Sequence, residues 1–163
     1  MIKLDRYDVA ILRILARDGR ITKSKLAEEV NLSISPAWER VRKLEESGVI
    51  RGYRADIDWV GAFSGSRIIV EVTLARHTAH DMRRFETRVL ASPEVVQCHA
   101  TGGGVDYVMH VVARDIDRYQ RFIDALLSED LGIERYFTYV VTKVVKDAPS
   151  HALDAPDLLP SSD

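Results

Sequence analysis

The chain contains 163 residues, of which 46% are hydrophobic and 29% charged, and its formal net charge is −2 at pH 7. This composition predicts a globular protein with a buried core. The near-zero net charge excludes the overall basic excess on which some nucleic-acid-binding proteins rely. Cys98 is the single cysteine, so an intramolecular disulfide and a cysteine-based metal site are both excluded.

Targeting and membrane signals are missing from the sequence. No run of about 18 or more apolar residues occurs, so no membrane span is expected. The first residues lack the apolar core of a signal peptide, and we therefore expect a cytoplasmic protein.

Charge is distributed unevenly along the chain. Residues 1–60 hold 12 Lys/Arg and 10 Asp/Glu, residues 61–146 hold 11 of each, and residues 147–163 hold four acids and no base.

Two helices are predicted at the start of the chain. Asp5 is a suitable N-cap for the first, which is expected to end near Arg17 with Gly19 in the left-handed conformation that stops helices. Thr22 is the expected N-cap of the second helix. The apolar faces consist of Tyr7, Ile11, Leu12, Ile14 and Leu15 in the first helix and Leu26, Ala27 and Val30 in the second.

A third helix is predicted after a tight turn. Ser35 is expected to cap it, and Pro36 to take the first helical position, where its missing N–H is not needed. Three apolar residues at helical spacing form the inward stripe: Ala37, Val41 and Leu44. The opposite side carries polar and charged side chains: Ser35, Glu39, Arg42 and Lys43, with Arg40 on the flank.

The three helices together match the helix-turn-helix motif. The third is expected to close at residues 45–48, and residues 49–57 to continue as a strand. A turn of about three or four residues between the last two helices is typical of the motif. Small three-helix domains also serve as protein-binding modules, so the spacing alone does not establish DNA binding.

The second half of the chain predicts a βαββαβ unit of ferredoxin-like type. A connection at residues 62–66 is followed by strands at 68–74, 95–101, 107–112 and 133–145 and by helices at 79–90 and after the N-cap Asp115. Both helices are expected on one face of the sheet. The other face, assigned to Val70, Val72, Val111, Tyr139 and Val141, needs cover, and this predicts a homodimer.

The predicted fold class is therefore α+β with two domains. Residues 1–60 form the helix-turn-helix domain with its connecting strand, and residues 61–146 form the ferredoxin-like domain. Residues 147–163 combine three prolines with serine and aspartate and lack clustered apolar residues, which predicts a disordered tail.

The five histidines give little support to metal or catalytic chemistry. His77 and His80 stand three residues apart, but no third ligand is close in sequence. His99 and His110 flank a glycine-rich turn and are predicted to be cross-strand neighbours. Structural or solvated roles fit these residues better, and we predict no enzyme activity, no cofactor and no metal.

Several short segments occur together in one known family. The N-terminal ones are Leu4-Asp5, Asp8, Ile11-Leu12, Asp18-Gly19-Arg20, Leu26-Ala27, Leu32-Ser33, Arg40-Val41, Leu44-Glu45, Gly48-Val49-Ile50 and Gly52-Tyr53. The C-terminal ones are Pro93-Glu94-Val95, Gly102 with Asp106-Tyr107, and Val144-Val145-Lys146. In combination they resemble the leucine-responsive/asparagine-regulator (Lrp/AsnC) transcription factors over residues 2–146.

The resemblance implies a winged helix-turn-helix followed by a ferredoxin-like effector domain. It also implies a homodimer that assembles further into an octamer, with a small amino-acid-like effector bound between dimers. Helix 35–47 would then enter the major groove of operator DNA. The residues implied near base edges are Ser33, Ser35 and Arg40, and those implied near phosphates are Arg42, Lys43 and Arg54. Trp38 departs from the family's smaller residue and is expected to pack at the helix flank.

The loop Gly102-Gly103-Gly104-Val105-Asp106 is the candidate effector site. It lacks the Lys-Ser/Thr that follows a phosphate loop. Consecutive glycines let backbone N–H groups approach a carboxylate, and Asp106 suits an ammonium group, so the loop fits a zwitterionic amino acid. Thr138 and Glu134 of a neighbouring subunit are candidates to complete the pocket. The simpler interpretation is a flexible hairpin turn.

These features together predict a DNA-binding transcriptional regulator that responds to a small amino-acid-like effector and controls amino-acid or related solute metabolism. One alternative is an enzyme resembling the tetrapyrrole (sirohaem) decarboxylases that share this fold. Against it stands the cationic third helix with Arg40, Arg42 and Lys43. A second alternative is a ligand-sensing adaptor without DNA binding.

Overall fold

The computed structural model describes residues 3–58, 61, 62 and 64–147. The chain divides between Asp56 and Ile57 into two compact units. The N-terminal unit consists of the described residues up to Asp56 with residues 145–147, and the C-terminal unit consists of the described residues from Ile57 to Val144. Of the predicted tail, all residues after Asp147 lie outside the described ranges. Within those ranges no helix is long and apolar enough to span a membrane.

Three helices form the N-terminal unit: α1 (Arg6–Arg17), α2 (Lys23–Glu29) and α3 (Ile34–Glu46). Both predicted N-caps of the first two helices are confirmed. The Asp5 carboxylate accepts the N–H groups of Tyr7 and Asp8 at 2.8 and 2.9 Å, and the Thr22 hydroxyl accepts that of Lys25 at 3.3 Å. The shared core consists of Ile11, Leu26, Ala27, Val30, Ala37, Val41 and Leu44.

Helix α3 begins two residues earlier than the sequence predicts. Its N-cap is Ser33, whose side chain makes no capping hydrogen bond, and Ser35 lies inside the first turn. Pro36 therefore occupies the third helical position rather than the first. The helix tolerates it there because the first four N–H groups of any α-helix lack an intrahelical partner.

The end of α1 also differs from expectation, since Gly19 does not adopt the left-handed conformation. The helix closes instead at Asp18, whose N–H donates to the Ile14 carbonyl at 2.9 Å. A Cβ atom at Gly19 would lie 3.2 Å from Cδ1 of Tyr53. Glycine at this position makes room for the Tyr53 ring.

The predicted strand at residues 49–57 is wrong. These residues, all within the described part of the chain, form no strand, and their hydrogen bonds lead back to α3. The Ile50 N–H donates to the Leu44 carbonyl at 3.0 Å, and the Tyr53 hydroxyl donates to Oε1 of Glu45 at 2.9 Å. Together with burial, the bond to Glu45 raises the pKa of Tyr53 to about 12.

The C-terminal unit has the predicted βαββαβ order. Its elements are β1 (Ser66–Leu74), α4 (Ala79–Leu90), β2 (Val95–Ala100), β3 (Tyr107–Ala113), α5 (Ile116–Ser128) and β4 (Ile133–Val140). The strands form one antiparallel sheet in the order β2-β3-β1-β4. Strand β4 ends at Val140 rather than Val145, with one further backbone bond from the Val141 N–H to the Arg67 carbonyl. The α+β fold class is confirmed.

Three residues that the sequence analysis assigned to the uncovered face of the sheet lie on its buried face instead. Val70, Val72 and Val111 are fully buried in the core shared with the helices. The open face carries the alternate residues Ile69, Val108, Val112, Phe137 and Tyr139. Tyr139 is thus on the face that the sequence predicted. On α4, Phe85 and Val89 are buried as expected, whereas Leu90 is 87% exposed.

Candidate nucleic-acid interface and effector loop

The outward surface of α3 carries the polar residues predicted to contact DNA. Its apolar stripe is buried, and Ser33, Ser35, Arg42 and Lys43 are exposed. Nε of Arg42 lies 3.5 Å from Oε1 of Glu46, and both side chains are more than half exposed. Such a pair contributes little free energy, so Arg42 can exchange this partner for a phosphate. Arg54, also exposed, lies in the irregular segment that follows α3.

Arg40 occupies a different environment from the other cations of α3. Its Nη1 lies 2.7 Å from Oδ2 of Asp5 and 2.8 Å from Oδ1 of Asp8, and its Cζ lies 5.3 Å from the Tyr7 ring centroid. The Arg40 side chain is only 31% exposed. The guanidinium therefore fastens α3 to the capped start of α1.

This contact changes the acidity of Asp5. Burial favours the neutral acid, but the Asp8 N–H, the Arg40 guanidinium and the Tyr7 N–H all donate hydrogen bonds to the carboxylate. These bonds outweigh burial and hold the pKa of Asp5 below its ordinary value. The charged form of Asp5 is thus part of the folded N-terminal unit.

Trp38 lies at the flank of α3, beside the start of α2. The Lys23 ammonium nitrogen is 3.8 Å from the Trp38 ring centroid, a cation–π contact. Trp38 remains 37% exposed in spite of this neighbour. The contact brings a cation of α2 next to the surface of α3.

In the glycine-rich loop, Asp106 is already engaged by its own chain. Its Oδ2 accepts the Leu74 N–H at 2.7 Å, and Nε2 of His77 lies 2.9 Å from Oδ1. The Asp106 N–H also donates to the Val72 carbonyl at 3.0 Å. The side chain is 18% exposed, and a carboxylate has about four acceptor positions. Asp106 can therefore hold the loop against the end of β1 and still accept a further donor.

The three glycines of this loop are exposed. A Cβ atom built at Gly102, Gly103 or Gly104 would meet no atom within 4 Å. Gly103 needs glycine for its backbone, since its φ is +155°. The packing of this chain does not impose glycine at the other two positions, which leaves their backbone open to a ligand or a second chain.

The two further effector candidates lie at different places on β4. Glu134 is exposed and near the start of the strand, and Leu74 pairs with the adjacent Ile133 at the end of β1 that holds the loop. Thr138 lies further along, on the helix-covered face, and its hydroxyl is hydrogen-bonded to that of Tyr119. Within one chain, the structure brings Glu134 but not Thr138 to the loop's end of the sheet.

The remaining histidines form no metal site in the described ranges, where no group of three or more His, Cys, Asp or Glu side chains could hold an ion. The rings of His99 and His110 lie 6.4 Å apart and nearly perpendicular. They are diagonal neighbours across β2 and β3, where His99 pairs with Val108 and His110 with Gln97, so the predicted cross-strand proximity holds without direct pairing.

Both halves of the chain match models of known protein families. Residues 4–51 match a model described as "Winged helix-turn-helix DNA-binding", and residues 67–150 match the "Lrp/AsnC ligand binding domain". The transcriptional regulatory protein DoeX of Halomonas elongata is 55% identical over 96% of this chain and 98% of its own length. The chain belongs to the Lrp/AsnC family. Its curated relatives in this family are transcriptional regulators.

Solved Lrp/AsnC-type structures share the fold. An AsnC family transcriptional regulator from Agrobacterium tumefaciens is 34% identical, with a TM-score of 0.85 over 93% of this chain and 98% of its own. A transcriptional regulator from Neisseria meningitidis, solved as a complex with L-Met, is 30% identical, with a TM-score of 0.84 over 91% of this chain and 96% of its own.

For this Lrp/AsnC chain, a second basic group beside α3 was missed at the level of the sequence. Arg20, Lys23 and Lys25 are exposed around the N-cap of α2. Their clustering next to Thr22 was visible in the sequence, but the turn geometry that brings Lys23 to Trp38 was not. His77 was likewise considered for metal binding, whereas the structure pairs it with Asp106.

Proposed function

We propose that this chain is a sequence-specific DNA-binding transcriptional regulator whose operator affinity responds to a small amino-acid-like effector. The observation that carries this proposal is the third helix, which buries its apolar stripe and exposes hydroxyl and cationic side chains on the opposite side. The names of the relatives support a regulator over the decarboxylase-like enzyme. A cytoplasmic location is part of the same proposal.

The proposal assigns different roles to the polar residues of the N-terminal unit. Ser33 and Ser35, at the start of α3, are assigned to base edges, because N-terminal residues of a recognition helix approach them most closely. Arg42, Lys43 and Arg54 are assigned to phosphates, which position a protein on the duplex. Arg40 was expected near bases, but its two carboxylate partners favour a positioning role.

A homodimer that assembles further into an octamer is part of the proposal. The open sheet face carries exposed apolar side chains, Phe137 and Tyr139 among them, beside polar ones such as Glu71, and a second sheet is the simplest cover. Residues 1–60 carry a charge of only +2, from 12 basic and 10 acidic residues. Two helix-turn-helix units on one operator double that charge and the number of phosphate contacts.

Substituting the predicted phosphate contacts is expected to reduce the salt dependence of DNA binding. Each lost contact releases about one counterion fewer, so Arg42→Ala or Lys43→Ala lowers the slope of log K against log salt concentration by about 1 per chain. The slope is measured by fluorescence anisotropy with duplex DNA selected by the full chain from a random pool.

Glu39→Gln is the matched control, because it changes an exposed charge on the same helix without removing a cation. We expect its slope to equal that of the unsubstituted chain, and the base preference of all three variants to stay unchanged. Unchanged slopes in both cation variants would contradict the phosphate assignment. A chain that selects no DNA at low salt would contradict the regulator itself and favour a sensing adaptor.

The effector is proposed to bind at the glycine-rich loop as a zwitterion. The exposed backbone of Gly102, Gly103 and Gly104 would receive its carboxylate, and Asp106 its ammonium group, with Glu134 and Thr138 contributed by a neighbouring subunit. The Neisseria meningitidis structure with L-Met supports an amino acid as the ligand class. Binding would shift the population of assemblies and thereby the spacing of the reading helices.

Removing the Asp106 carboxylate is expected to abolish stabilisation by the effector. A ligand that binds only folded protein raises its melting temperature, so a thermal-shift screen of amino acids identifies candidates. We expect Asp106→Ala to remove the shift, and the N-acetyl derivative of a hit, which has no ammonium group, to give none with the unsubstituted chain.

The readout for Asp106→Ala is the shift on adding ligand, because the substitution lowers the starting melting temperature by freeing the Leu74 N–H. Asp124→Ala removes an exposed carboxylate from α5 and serves as the control that keeps the shift. A shift that survives in Asp106→Ala would move the effector site elsewhere. Amino-acid or related solute metabolism is the pathway class this proposal favours.

A further inference from the structure

Two large apolar side chains are exposed at the start of α3. Ile34 is 52% exposed and Trp38 is 37% exposed. Residues four apart are neighbours on a helix surface, so the two side chains form one apolar patch. Neither belongs to the buried core of the N-terminal unit. Both lie on the flank of α3 beside its buried stripe, since Ile34 stands three residues before Ala37 and Trp38 three residues before Val41.

The surroundings of this patch are cationic and polar. The Lys23 ammonium lies 3.8 Å from the Trp38 ring centroid, and Ser35 and Arg42 are exposed on the same helix. An apolar protein partner would gain nothing from these cations. A DNA duplex complements them through its phosphates and presents apolar groups only at particular bases.

In the major groove, the apolar group that base edges present is the 5-methyl of thymine. Residues in the first turns of a recognition helix are the ones that reach base edges, and Ile34 and Trp38 lie there. We infer that Ile34 and Trp38 are specificity-determining residues that contact thymine methyl groups in the operator. This inference rests on the proposed DNA binding and adds the base that is read.

The contact with Lys23 gives Trp38 a defined place in this arrangement. A cation over the ring limits where the indole can lie. In the proposed complex the same ammonium meets a phosphate, and the part of the ring that Lys23 leaves uncovered faces the bases beside Ile34. Each thymine methyl buried against this patch is expected to strengthen binding about fourfold, the effect of one buried methylene-sized group.

Replacing thymine by deoxyuridine tests this inference, because it removes the methyl group and keeps base pairing. Duplexes selected by the full chain from a random pool are resynthesised with deoxyuridine at one thymine at a time. We expect the unsubstituted chain to bind about fourfold more weakly at one or two positions per half-site. Ile34→Ala or Trp38→Ala should bind the thymine and deoxyuridine duplexes equally at the position each residue reads.

Two controls separate base reading from a loss of structure. Val49→Ala truncates another exposed apolar residue of the N-terminal unit and should keep the full thymine preference. Trp38→Phe retains an aromatic ring and should keep most of it. Circular dichroism verifies that each variant is folded at the temperature of the binding assay.

The outcomes distinguish this inference from the function on which it rests. A chain that binds selected DNA but never distinguishes thymine from deoxyuridine overturns the inference and leaves DNA binding intact. Discrimination that persists in both Ile34→Ala and Trp38→Ala overturns it as well. If no DNA is selected at all, the regulator proposal itself fails.

Discussion

Replacing Phe85 by alanine is expected to lower the free energy of unfolding of the C-terminal unit by about 3–5 kcal/mol. Phe85 is completely buried, and its ring centroid lies 4.6 Å from that of Tyr107. Truncation removes the ring contact between α4 and Tyr107 of β3 and leaves a cavity that rigid strands cannot fill. Native domains are stable by about 5–15 kcal/mol in total, so this loss removes a large fraction of the stability.

Hydrogen exchange read by mass spectrometry measures this loss separately in each unit. Peptides from α4, β3 and α5 should lose protection in Phe85→Ala, whereas peptides from α1 to α3 should keep it. Leu90→Ala is the matched control on the same helix, since Leu90 is 87% exposed, and should change stability by less than about 0.5 kcal/mol. Equal loss of protection in both units would mean that they unfold as one.

Features of the fold that depend on contacts within a few residues were predicted better than features that depend on distant residues. The caps Asp5, Thr22 and Asp115 were predicted because each bonds to an N–H two or three residues away. The start of α3 was not, because Ser33 and Ser35 are equally good candidates by sequence. Pro36 does not decide between them, since proline is accepted throughout the first turn.

Which face of the sheet is buried could not be predicted from the strand sequences alone, because this too depends on distant residues. Strand β1 carries apolar residues of both parities, as Ile68, Ile69 and Val70 show. A shift of one residue exchanges the two faces of a strand. The choice is made by the helices, whose buried residues Phe85 and Ile123 pack against one parity only.

Within the candidate sites, the sequence predicted which charges are present but not which partners they have. Arg40 pairs with carboxylates 32 and 35 residues away, and Asp106 accepts an N–H 32 residues away. Both residues looked available for a ligand. Tertiary contacts of that length follow from the packing of whole elements, and no spacing rule within a helix or strand reports them.

Arg40 is therefore the residue for which sequence and structure make opposite predictions. If Arg40 is a positioning residue, Arg40→Ala should lower the free energy of unfolding of the N-terminal unit by about 1–2 kcal/mol. The reason is that charge-assisted hydrogen bonds to two carboxylates are lost. Partial exposure of all three side chains keeps this figure low. DNA binding should weaken for every sequence alike.

A double-mutant cycle with Asp8→Asn tests the positioning role directly. Asp8 is the less exposed of the two carboxylates, so its coupling to Arg40 in urea denaturation should reach about 1 kcal/mol. Arg40→Lys should keep only part of this coupling, since an ammonium lacks the planar fork of donors that a guanidinium has.

The pH dependence of stability provides a second, independent test of the positioning role. The pKa of Asp5 is lower in the folded chain than its ordinary value, so the carboxylate stabilises the fold above the ordinary pKa and loses this effect as the pH falls through the lowered one. The stability gap between the unsubstituted chain and Arg40→Ala should be full at neutral pH. It should shrink below about pH 4.

The DNA readout decides between the two roles of Arg40. If the guanidinium reads a base, Asp8→Asn should strengthen DNA binding by releasing it, and Arg40→Ala should relax the preference at one base pair. If it positions α3, Asp8→Asn should weaken binding together with Arg40→Ala, and the preferred bases should stay the same. We expect the second result, because the two carboxylates that hold Arg40 belong to the N-cap and the third residue of α1. A helix α3 anchored there presents its outer side at a fixed angle.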